Sequence, residues 1–172
     1  MFRPLIVMSL LALSLSLTAC ETQDPEDAPK VAKPVVVLHA PATADDKEWK
    51  VYLQQVVGQN MAGVTDRVFP YYLPANSTVP TPGDSEGRSQ YDRQLENVAS
   101  VLSRTVLPGN MLVFGSPDSS KMADLIIASF AGGKQDALKG SQVLFIGSSA
   151  DSARVMVAVE AVGAKYIFVE SK

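Results

Sequence analysis

The 172-residue chain has one cysteine, one histidine and one tryptophan. Those scarcities already close off much chemistry. A lone cysteine gives neither an internal disulfide nor a thiolate metal cage, and a lone histidine, His39, excludes His-pair metal sites and two-histidine catalysis. The longest apolar run, Leu5 to Leu17, is interrupted by Ser9, Ser14 and Ser16. It falls short of the roughly 20 residues that a membrane-spanning helix needs. There is no excess of positive charge: Lys and Arg total 15 against 18 Asp and Glu, a formal net charge of −3. Without a basic stripe, nucleic acid is not an expected partner. No internal repeat or low-complexity tract is present.

Nucleotide and hydrolase signatures are missing too. The segment Gly115 to Lys121 lacks the second glycine and the Lys-Ser/Thr ending of a phosphate-binding loop. Gly147-Ser148-Ser149 opens no G-x-G-x-x-G fingerprint, and no G-x-S-x-G elbow occurs. Gly83-Asp84-Ser85 shares three letters with GDSL-type esterases, but it lies in a long loop, and no Asp-x-x-His follows near the C-terminus. No catalytic residue, cofactor or metal is therefore expected.

What the chain does have is a pronounced start. Arg3, the apolar run and the small residues before Cys20 form the three parts of an export signal. Its ending, Leu17-Thr18-Ala19-Cys20, resembles the lipobox of bacterial lipoproteins. The resemblance implies that residues 1–19 are a signal peptide, cut before Cys20, and that Cys20 carries the lipid. A multiply acylated cysteine is a stable tether, whereas one acyl chain binds a membrane only marginally. Glu21 stands where enteric lipoproteins retained at the inner membrane carry Asp. By the same resemblance, the expected location is the outer membrane facing the periplasm, with the inner membrane as the second choice.

Residues 20–33 then read as an acylated cysteine followed by an acidic tether containing Pro25 and Pro29. Its reach is at most about 40 Å, at ~3.3 Å per extended residue. Beyond it, residues 31–172 are nearly neutral, with 14 acidic and 13 basic side chains. Membrane contact is thus expected from the lipid alone.

From Pro34 to Lys172 the pattern is that of one α/β domain. Five apolar runs read as strands: Pro34–His39, Arg67–Leu73, Met111–Gly115, Gln142–Gly147 and Tyr166–Glu170. Four helical patterns alternate with them. The first has Thr43 as candidate N-cap, with Trp49, Leu53, Val56, Val57 and Met61 at helical spacing. The expectation is a three-layer αβα sandwich, flavodoxin-like or Rossmann-like, with about five mostly parallel strands and four helices. In the flavodoxin-like order 2-1-3-4-5, Pro70 puts its strand at an edge, because proline cannot donate within a central ladder.

Ligands of such sheets sit at the carboxyl ends of the strands. His39, Ser116, Asp118, Ser119, Ser148 and Ser149 are expected there, and two Gly-Ser turns at helix starts offer a possible anion pocket. The competing reading is that these serines and aspartates only cap helices. His39 as a general base, near Asp45, Asp118 or Ser116, is the corresponding hydrolase reading, with a hydrogen-bonded structural histidine as its counterpart. Residues 74–89 read as a long structureless loop, either disordered or a binding loop. With Tyr71, Tyr72, Arg88, Tyr91 and Arg93 it brings together the residue types enriched at protein–protein hot spots.

The functional expectation is a membrane-anchored, non-enzymatic accessory subunit docking onto an envelope protein. The alternatives are a binder of a small anion and, behind it, a hydrolase. In a bacterial host, Cys20→Ser is expected to abolish incorporation of labelled palmitate and to move the protein from the membrane pellet to the soluble fraction.

Overall fold

The computed structural model describes residues 36–104 and 106–172. The leader, Cys20 and the tether lie outside the described residues. β2 (Met111–Gly115) and β3 (Gln142–Gly147) are buried along their whole length. That fits their sequences, apolar apart from Gln142 at the start of β3, and requires cover on both faces of the sheet. They lie at the centre of a four-stranded, all-parallel sheet flanked by β1 (Val68–Tyr72) and β4 (Lys165–Glu170), in the order β1-β2-β3-β4.

Four helices complete an α/β sandwich: α1 (Asp46–Gln59), α2 (Gln90–Ser103), α3 (Ser119–Phe130) and α4 (Ser149–Ala161). Strands that neighbour one another in chain order, joined by right-handed crossovers, send every connecting helix to the same face. α2, α3 and α4 accordingly pack side by side against Leu112, Phe114, Val143 and Phe145. On that face Tyr71 stacks on Phe114 at a centroid distance of 4.9 Å. α1 precedes β1 and lies on the opposite face. There Trp49, Tyr52, Leu53 and Val56 meet Met111, Val113, Leu144 and Ile146.

The order differs from expectation. The strand expected first is not inserted between the second and third, which pair directly from Val68↔Met111 to Tyr72↔Gly115. The four strands therefore contain no reversal of order, and neither the flavodoxin-like nor the Rossmann-like switch point occurs among the described residues. Nor do residues 36–39 form a strand: they carry no regular secondary structure and lie beside α1, where Gln59 Nε2 donates to Val36 O and His39 adjoins Lys47 and Glu48. From Val37 to Ala40 exposed and half-buried side chains alternate as in a strand, while Val36 and Val37 are both exposed, and Ala40 N makes the segment's hydrogen bond to the sheet's end, 2.7 Å from Lys172 O. α1 is also capped two residues later than expected: Asp45, not Thr43, accepts from Lys47 N and Glu48 N.

Pro70 behaves as the sequence required. Met111 N donates to Arg67 O and Leu73 N to Gly115 O, so odd-numbered residues of β1 point their backbone groups at β2. Pro70 falls on the outward phase, at an edge, where its missing N–H costs no ladder bond.

Gly115 shows how α1 gets close to the sheet. A methyl group there would collide with the Leu53 side chain, which fills the gap the glycine leaves. Gly115→Ala is expected to cost about 1–3 kcal/mol by overpacking. Combined with Leu53→Ala, the loss should fall short of the sum of the single losses by about 1 kcal/mol or more, measured by equilibrium urea unfolding.

Candidate functional site

Two helix starts meet at the carboxyl ends of β2 and β3, as the sequence suggested. Ser116 is buried, and its Oγ accepts from Asp118 N at 3.0 Å. Asp118 caps α3 by accepting from Lys121 N at 3.1 Å, and its carboxylate is 3.2 Å from the Lys121 ammonium. Ser148 caps α4 through Ala150 N at 3.3 Å. Ser119 joins the two starts: its hydroxyl donates to Asp151 Oδ2 at 2.6 Å and accepts from Ser148 N at 2.7 Å. Gly147 makes room for it, since a methyl group there would sit 2.6 Å from Ser119 Oγ.

Asp151 is the hub. Arg154 donates to its Oδ1 from Nε at 3.1 Å and Nη2 at 2.8 Å, and also bonds Asp124 and, through Nη2, Ser120 O. Partial burial pushes the Asp151 carboxyl up. The Ser119 hydroxyl and the Arg154 guanidinium outweigh that and hold it below the usual carboxylate range. The same carboxylates raise Arg154.

These contacts have a chemical consequence. The amides that would greet an anion already face the chain's own oxygens: Asp118 on α3, the Ser148 hydroxyl on α4 and Ser119 between them. Asp118, Asp124 and Asp151 outnumber Lys121 and Arg154 in the same cluster. The cluster is a negative, internally satisfied staple. Ser149 lies at its margin and, together with Lys172, keeps the Glu170 carboxyl below its ordinary range.

His39 is not part of this cluster. It is exposed and lies beside Pro41, Lys47, Glu48 and Tyr52, along the outside of α1.

Residues 74–89 are not structureless. Successive turns and an isolated antiparallel bridge, Pro80↔Ser89, fold them into a compact loop around Asp84. Asp84 Oδ1 accepts from Glu86 N at 3.0 Å and Arg88 N at 3.2 Å, while Oδ2 takes Arg93 Nη1 at 3.2 Å. Those two amides, with Arg88 and Arg93, hold the Asp84 carboxyl below its ordinary range. Arg93 also ties Thr81 Oγ1 at 2.7 Å and Arg88 O at 3.2 Å. Arg88 pairs with Glu86 at 3.0 Å and Glu96 at 3.4 Å. Ser89 ends the loop in a capping box with Asp92.

The five residues proposed for an interaction loop are thus dispersed. Tyr71 is buried in the core, Tyr91 packs against the α2–α4 side, both arginines brace the loop, and Tyr72 faces α1.

Tyr72 leads to a feature the sequence did not announce. One helix cannot cover a four-stranded face, and beside α1 a groove of about 460 Å³ opens over β1, lined by Leu53, Val57, Val68, Pro70, Tyr72 and Val113. Lys50 stands at its rim, its ammonium 5.5 Å from the centre of the Tyr72 ring. The Tyr72 hydroxyl donates to Asp46 at 2.9 Å. Burial first, then Asp46 and the charge of Asp45, push the phenol well above its usual range. No group of three or more metal-ligating side chains occurs among the described residues, and no described helix is long and apolar enough to cross a membrane.

Ser119→Ala removes one partner from a carboxylate and one from a backbone amide. It is expected to cost about 1–3 kcal/mol in thermal or urea unfolding. Comparison of the chain with protein-family models, with curated proteins and with solved structures returns no match.

Proposed function

We propose that the protein is a membrane-anchored periplasmic lipoprotein, held by Cys20 at the outer membrane, and that its α/β domain serves as a non-enzymatic accessory subunit of an envelope complex. The lipobox resemblance supports the anchor. The observation that carries the docking role is the uneven cover of the sheet. Three helices close one face, whereas α1 alone leaves the apolar groove over β1.

The groove is concave and mostly apolar, with polar side chains such as Lys50 and Gln54 beside it, which is the general character of binding sites. The anion-binding reading has less support, because Asp118 and Asp151 already sit at the two helix starts. The hydrolase reading has less still, with His39 on the α1 side and Ser119 paired to Asp151.

A photo-crosslinking residue placed at Gln54, in the full-length protein in its own envelope, is expected to give a discrete adduct with one envelope protein. The same residue at Glu160, on α4, should give none. The adduct should disappear when Val57→Asp is added. Adducts absent at Gln54, or equal at both positions, would overturn the docking role.

A further inference from the structure

The two edges of the sheet are unequal. On β1 the outward phase contains Pro70, which interrupts any ladder an incoming strand would build. On β4, Lys165 N and Ser171 N donate to Ser141 O and Gly147 O of the β3 side, so the odd positions face inward. The even positions, Tyr166, Phe168 and Glu170, therefore aim their backbone groups outward, and none is proline. Among the described residues, β4 pairs as a strand only with β3.

Val36–Ala40 runs past this edge in the same direction as β4. Its start lies at the end of α1, where Gln59 Nε2 donates to Val36 O at 2.8 Å. That end of α1 sits by the beginnings of the strands, since Gln142 Nε2 at the start of β3 bonds Ala62 O. The segment's end lies past the last residue of β4, where Ala40 N meets Lys172 O at 2.7 Å. This bond is the one a parallel strand would make, and it fixes a register.

Parallel ladders repeat every two residues. Leu38 N would then meet Glu170 O, Leu38 O would meet Lys172 N, and Val36 O would meet Glu170 N. The Val36 carbonyl has a second lone pair beside the one engaged by Gln59. Side-chain phase agrees independently. In that register Val36, Leu38 and Ala40 share the α1 face with Val169, and Leu38 and Ala40 already pack there against the same buried cluster under α1 that Ile167 and Val169 pack against. Val36 and Val37, 59% and 73% exposed, are what remains outside.

We propose that the outer edge of β4 is a strand-pairing surface whose occupant is Val36–Ala40 of the same chain. The segment closes from its anchored end at Ala40–Lys172 into a fifth parallel strand, and its release opens the edge. The inference does not depend on the proposed function.

Amide hydrogen exchange, read residue by residue on the full chain, tests it. In the closed ladder Leu38 N faces β4 and Val37 N faces away. Leu38→Pro should therefore speed exchange of the Glu170 amide at least about tenfold, and Val37→Pro should change it by less than about twofold. Leu38→Ala, which keeps the amide but trims the packing, should lie closer to the unaltered chain than Leu38→Pro does. A Glu170 amide that exchanges at the free-peptide rate in the unaltered chain, or responds equally to both prolines, would overturn the proposal. Protection that rises with protein concentration would overturn it in favour of a second copy at the edge.

Discussion

Everything in this domain depends on burying β2 and β3 on both faces. Their side chains are apolar on both phases of the pleat, so neither face can be left to water. Each enclosed apolar side chain contributes about 1.5–3 kcal/mol relative to exposure, which makes cover the dominant requirement. Chirality then decides how the cover is shared. With strands in chain order and right-handed crossovers, α2, α3 and α4 have to occupy one face. The other is left to α1, aided along the β4 side by Leu38 and Ala40. The groove over β1 is the remainder of that division, and Gly115 lets α1 sit deep enough to protect the centre.

The elements were largely legible because their signals are local. The apolar runs of β2 and β3, the helix starts at Asp118 and Ser148, and the proline in β1 each state a physical preference in a few residues. Strand order was not legible, because adjacency depends on which hydrophobic faces meet, and a short apolar run such as Val36–Leu38 fits a strand or a packed coil equally well. The loop misled for a related reason. Its composition is that of unstructured chain, but Asp84 gathers two amides and Arg93, and that convergence appears only when residues nine apart are brought together.

The candidate site divides the same way. Each cap was readable as a cap, and Arg154 three residues after Asp151 is a visible helical pair. That Ser119 would reach across to Asp151, 32 residues away, was not readable. Nor was the effect of this reach, which turns two potential anion-binding ends into one self-satisfied junction between α3 and α4. The tyrosines show the limit of residue-type arguments most plainly. Tyr71 and Tyr72 are neighbours in sequence, yet the pleat sends one into the α2–α4 core and the other to the α1 side.

Pro70 reaches beyond its own strand. A sheet with two receptive edges can recruit copies of itself without limit, each addition presenting a new edge like the last. Here one of the two margins is blunted within the covalent chain, so edge-to-edge association through the other joins at most two molecules and then stops. Wherever copies of the chain meet, a single residue at position 70 gives the sheet a polarity that makes edge-to-edge meetings self-terminating.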